Sequence, residues 1–80
     1  MPPGPGFSAP FDKMKHGQYV ALRLLSQGHT HSVVAKRLNI SDGGLRHRMH
    51  ALRKTTKTKS TLQLVALAVA HGVITLEDIQ

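Results

Sequence analysis

The 80-residue chain has no cysteine and no tryptophan, and its aromatic residues are one tyrosine and two phenylalanines. Without cysteine there is neither a disulfide framework nor a thiolate metal site. Stability must come from a compact apolar core, supplemented by an oligomer interface. Acidic residues are also scarce, four against eleven Lys and Arg. Long apolar runs are missing. The longest, Leu64 to Ala70, has seven residues, against the roughly 20 that a membrane-spanning helix needs. The four prolines all fall in the first ten residues, MPPGPGFSAP, which carry no charged leader, so no signal peptide is expected. Enzyme chemistry lacks its parts. There is no paired-carboxylate site, no cysteine nucleophile and no glycine-rich phosphate loop after a strand, and Gly43-Gly44 alone is not such a loop. No enzymatic activity and no cofactor are expected.

What is present is positive charge, unevenly placed. Asp12 lies near the start and Glu77 and Asp78 near the end. Asp42 is the single acid between Lys13 and His71, a stretch that holds all eleven Lys and Arg and so carries +10 against a whole-chain net charge of +7. Such a balance favours a polyanionic partner, nucleic acid before an anionic membrane surface.

The apolar pattern is helical. Residues 1–12 are Pro/Gly-rich at their start and read as a flexible tail. A helical period begins at Met14, with Ala21, Leu22 and Leu25 on one face and Gly28 placed to stop the helix. Thr30 is an N-cap for a short second helix whose inward face is Val34, Ala35 and Leu38. Asn39 suits the left-handed residue of a tight turn, and Ile40 plugs the core. Ser41 caps a third helix with a stripe of Leu45, Met49, Leu52 and Thr56, while Arg46, His47, His50, Arg53 and Lys54 occupy its other faces. Ser60 and Gln63 match the S-x-x-Q capping box of a fourth helix carrying Leu64, Val65, Ala68 and Val69, which Gly72 ends. Val73 and Ile74 fold back onto the bundle. Residues 13–75 thus form one all-α domain, with a helix-turn-helix in residues 31–56, and residues 76–80 form a short C-terminal tail.

Four segments, ALRLLSQG (residues 21–28), VVAKRLNIS (33–41), GLRHRMHALRK (44–54) and STLQLVALAVAHGVI (60–74), resemble in order and spacing the LuxR/GerE-type DNA-binding domain over about residues 14–74. The fourth helix separates that family from region 4 of sigma factors, which has similar earlier helices. The resemblance implies a four-helix LuxR-type helix-turn-helix domain whose third helix enters the major groove and whose fourth forms a dimer interface. It implies base contacts from Arg46, His47 and His50, and phosphate contacts from Thr30, His31, Ser41, Gly44, Lys54 and Lys59. Val65, Val69 and Val73 are the corresponding dimer-interface candidates. The chain departs from the family where MKHGQ (14–18) puts Gln18 in place of an acid, where Gly44 replaces a common threonine, and where Thr56, Lys57 and Thr58 replace an apolar–Gly–apolar turn.

An arginine one turn into a recognition helix can bond guanine O6 and N7 together, worth about 1–3 kcal/mol of discrimination; the bland reading of Arg46 is a phosphate contact or a solvated side chain. His47 and His50 stand i, i+3 on a helix, but no further ligands complete a zinc set, so no metal site is expected. Leu45, Met49 and Leu52 read as core, with no cofactor role for Met49. The expected function is sequence-specific binding of double-stranded DNA and regulation of transcription, by a homodimer paired through helix 4, in the bacterial cytoplasm at the nucleoid and with no membrane partner. The alternative is a protein-interaction module that pairs with a larger partner regulator and modulates its DNA binding. Eighty residues are too few to hold a sensor or receiver domain beside the DNA-binding unit, so the expectation is a stand-alone domain, the alternative a fragment of a longer regulator.

Overall fold

A computed structural model describes residues 7–79 as five helices with no strand among them: α1 (His16–Ser26), α2 (His31–Arg37), α3 (Asp42–Thr56), α4 (Thr61–Ala70) and α5 (Leu76–Ile79). Four helices begin on a hydroxyl cap, Thr75 serving α5. Thr30 Oγ1 accepts the Val33 N–H at 3.2 Å, Ser41 Oγ the Gly44 N–H at 2.9 Å and Ser60 Oγ the Gln63 N–H at 3.1 Å. Each bond satisfies an N–H that the helix itself leaves unpaired. α1 and α4 end at Gly28 (φ 94°) and Gly72 (φ 73°), in the left-handed region where a side chain is unfavourable. The turn between α2 and α3 puts Asn39 at φ 56°, and α3 ends on Lys57 at φ 59°.

α3 is the central element, packed chiefly on α1 and α2 and less extensively on α4. Its buried stripe is Leu45, Met49, Leu52 and Thr56, the spacing expected of one face of a 3.6-residue helix. Thr56 tolerates burial because its hydroxyl bonds the Leu52 carbonyl at 2.8 Å and approaches Thr58 Oγ1 at 3.1 Å. Around this stripe close Ala21 and Leu22 of α1, Val34 and Ala35 of α2, Leu64 and Ala68 of α4, and Val73 and Ile74 beyond it.

Three expectations are revised. The N-terminal segment through residue 12 is not all a free tail: Phe11, outside any helix, is a fully buried core residue, and Phe7 sets its ring 5.8 Å from that of Tyr19. Residues 1–6 of that tail lie outside the described residues. Residues 76–79 of the C-terminal segment form a fifth helix, and residue 80 lies outside the described residues. Its cap is Thr75, whose backbone N–H and hydroxyl both meet Asp78 Oδ2, at 2.9 and 3.1 Å. α5 is then tied to α1 by Gln27 Nε2 on the Asp78 carbonyl (2.8 Å) and by an Arg23–Asp78 ion pair (3.3 Å). Finally, Val73 is 3% exposed, because the turn at Gly72 directs it into the core, so it cannot serve a dimer interface.

Candidate nucleic-acid interface

α3 buries one side, and the opposite side is solvent-facing. Residues follow one another at about 100° around the helix axis, so His47, His50 and Lys54 form the crest opposite the Leu45–Met49–Leu52 stripe. Arg46 lies toward α2 and Arg48 toward α1. Arg46, His47, His50 and Lys54 are all exposed. Among the described residues the only ion pair within 4 Å is Arg23–Asp78, away from this face, so no cation of α3 is held in an ion pair, and Asp42, beside Arg46, is the one acid on the helix.

Three open grooves border the crest. One, about 420 Å³, lies between the start of α1 and α3 and is lined by Lys15, Gly17, Gln18, His47, Arg48 and Ala51. A second, about 270 Å³, brings His31 of α2 against Asp42 and Arg46. The third, about 330 Å³, joins His50, Arg53 and Lys54 to Thr58 and Lys59 of the α3–α4 loop. The first and third lie on opposite sides of the crest.

The structure thus brings Arg46, His47, His50, His31, Lys54 and Lys59 onto one side of the molecule. Thr30 and Ser41 are exposed beside them as helix caps; each hydroxyl accepts an N–H and keeps its own O–H to donate. Gly44 has a different part from the phosphate contact expected of it. Its N–H is taken by Ser41 Oγ, and a Cβ there would lie 3.2 Å from that oxygen. A side chain at residue 44 would crowd the cap that starts α3. Arg53 is half-buried, and its Nη1 reaches Thr61 Oγ1 at 3.5 Å, so it also braces α3 against α4. Of the interface candidates on α4, Val65 is half-buried and Val69 is 38% exposed.

Lys15, Gln18 and Arg48 escaped the sequence reading. Arg48 is half-buried with its guanidinium laid over Gly17, where a Cβ would come within 2.5 Å of Arg48 Nη1. The missing side chain of Gly17 is the seat of Arg48. A glycine inside the first turn of α1 was the available signal, but only the packing of α1 on α3 gives it a partner.

Asp78, outside the interface, is the one acid with a resolved shift. The Thr75 backbone N–H holds its carboxyl below the ordinary value of 3.8; burial opposes that, and the Thr75 hydroxyl and the Arg23 charge add to the lowering. Among the described residues no group of three or more His, Asp or Glu side chains is placed to hold a metal ion, and no helix is long and apolar enough to cross a membrane.

Comparison with known proteins returns no matching family model, no matching curated protein and no matching solved structure.

Proposed function

We propose that the chain binds double-stranded DNA as a LuxR-type helix-turn-helix protein and regulates transcription at the bacterial nucleoid, with α3 as the recognition helix. The observation that carries this reading is the exposed cationic side of α3, bounded by grooves lined with Lys, Arg and His, with Asp42 their one acid. α3 has 15 residues and is about 22 Å long, and a helix fits a major groove about 12 Å wide. In this reading Arg46, His47 and His50 meet base edges. Lys54, Lys59, His31 and the Thr30 and Ser41 hydroxyls meet phosphates, which fix position without reading sequence. Selection of bound duplexes from a random pool at about 150 mM salt tests it. A recovered motif whose binding is lost on Arg46→Ala supports the proposal, and a pool that stays random refutes sequence-specific recognition.

A second feature bears on assembly. Leu62, Ala66 and Val69 recur on one face of α4, with Leu62 81% exposed. In our reading this stripe, with Val65 at its edge and Leu62 in place of Val73, pairs two copies of the chain, as closed homodimers commonly do through one self-complementary patch. Paired half-sites in the selected duplexes, lost on Leu62→Arg without a fall in Tm, are the expected result. The same stripe would instead hold a larger regulator if the protein stays monomeric on DNA and binds duplexes without sequence preference.

A further inference from the structure

The groove of about 420 Å³ between the start of α1 and α3 holds two cations, Lys15 and Arg48, that have no part in the contacts proposed above. At about 100° per residue, Arg46 and Arg53 fall on one flank of α3, and Arg48 and Ala51 on the other. His31, Lys54 and Lys59 line the two grooves of the first flank. The second flank is the one that α1 closes. Of the arginines, Arg48 and Arg53 alone are half-buried. Arg53 gives a donor to Thr61 Oγ1 at 3.5 Å. Among the described residues, no hydrogen bond or ion pair takes up a donor of Arg48. A guanidinium drawn partly out of water without a partner is unfavourable. Its place is nevertheless prepared: a Cβ on Gly17 would lie 2.5 Å from Arg48 Nη1 and 3.4 Å from its Cζ. Alanine would steady α1 better than glycine does. What the missing Cβ admits is the planar fork of Arg48, whose paired donors match the oxygens of a phosphate.

We infer that the groove between α1 and α3 is a phosphate subsite, with Arg48 its two-pronged ligand, Lys15 a second cation at its rim, and Gly17 the positioning residue that seats the guanidinium. This rests on the DNA-binding reading above and extends it to the second strand of the duplex. A duplex presents two backbones, one along each edge of the major groove, and a helix lying in that groove has one on either side. Lys54, Lys59 and the α3–α4 loop meet one strand. The flank of Arg48 meets the other. The two contacts differ in kind. Lys54 and Lys59 are exposed point charges on flexible stems, whereas Arg48 is held in place by packing before any ligand arrives. A side chain prepared in this way loses little freedom on binding.

The test is Gly17→Ala and Arg48→Gln, singly and together, in the full chain. Arg48→Gln should weaken binding of a selected duplex about fivefold at about 150 mM salt and make the slope of log K against log salt shallower by about 1, the equivalent of one lost phosphate contact. Gly17→Ala should keep or raise the Tm, because the atom it crowds is the free end of a flexible side chain that can swing aside. It should nonetheless weaken the duplex by as much as Arg48→Gln, since the guanidinium loses its seat. In the double variant the two losses should not add: with Arg48 gone, Gly17→Ala should cost no further affinity. A Gly17→Ala protein that binds as the wild type does, or losses that add in the double variant, overturn this inference while leaving DNA binding intact. A wild-type chain that binds no duplex overturns both.

Discussion

Ionic strength is the perturbation to which the α3 face should respond most steeply. Six Lys and Arg side chains line the three grooves: Lys15, Arg46, Arg48, Arg53, Lys54 and Lys59. Each that neutralises a phosphate on B-form DNA contributes about −0.9 to the slope of log K against log salt, so full engagement gives about −5. Arg53 already gives a donor to Thr61 and the proposed reading assigns Arg46 to a base, so without both the slope is near −3.6. At the steeper value, affinity falls about 10³-fold between about 50 and 200 mM salt. Fluorescence anisotropy of a labelled duplex at neutral pH measures the slope directly. Arg48→Gln should make it shallower by about 1. Arg23→Gln should not change it, because Arg23 is engaged by Asp78 outside the grooves. A wild-type slope between 0 and about −2 would refute the assignment of these side chains to phosphates.

The remaining predictions concern stability and protons. Phe11→Ala should cost about 3–5 kcal/mol in urea unfolding, as for other buried aromatic rings, since Phe11 is fully buried; a loss under about 1 kcal/mol would return the segment before α1 to a dispensable tail. Asp78 has its folded pKa lowered, so its contribution is complete above the unfolded value of 3.8 and is lost as pH falls through the folded value. The stability difference between wild type and Asp78→Asn should accordingly be constant above about pH 5 and vanish in stronger acid; a difference unchanged down to about pH 2 contradicts the Thr75 and Arg23 contacts.

The helical face of α3 was legible because a four-three-four spacing of Leu45, Met49, Leu52 and Thr56 leaves little room for another arrangement. The Thr30, Ser41 and Ser60 caps and the Gly28 stop were legible for a similar reason, each being a local contest for a few backbone groups. Phe11 was hidden because a single aromatic among prolines has no periodicity; its burial depends on the core that the distant helices close, where its ring sits 5.8 Å from that of His71. α5 was hidden because its four residues are too short to show a pattern, and it is held by side chains 51 and 55 positions away in sequence, Gln27 and Arg23 on Asp78. At the interface, the charges of α3 could be read off the chain, but not Lys15 and Gln18, which reach it only when α1 packs across. Val73 was offered for the dimer interface by the family resemblance alone; the stop at Gly72 already pointed it back onto the bundle, where it is buried.

Lys57 closes α3 in the left-handed region at φ 59°, with the Thr58 N–H on the Arg53 carbonyl at 2.9 Å. Glycine is the usual residue for that conformation, and a residue with a Cβ bears roughly 1 kcal/mol or more for adopting it. Lys57→Gly should therefore make the protein harder to unfold. It would also remove one of the cations that draw the chain toward a polyanion. Selection for stability alone and selection for binding would push this position in opposite directions, and the natural residue sits on the side of binding. A laboratory search for heat-resistant variants should find glycine at residue 57 early and yield, with it, a protein that in the DNA-binding reading proposed above is released from a duplex at lower salt.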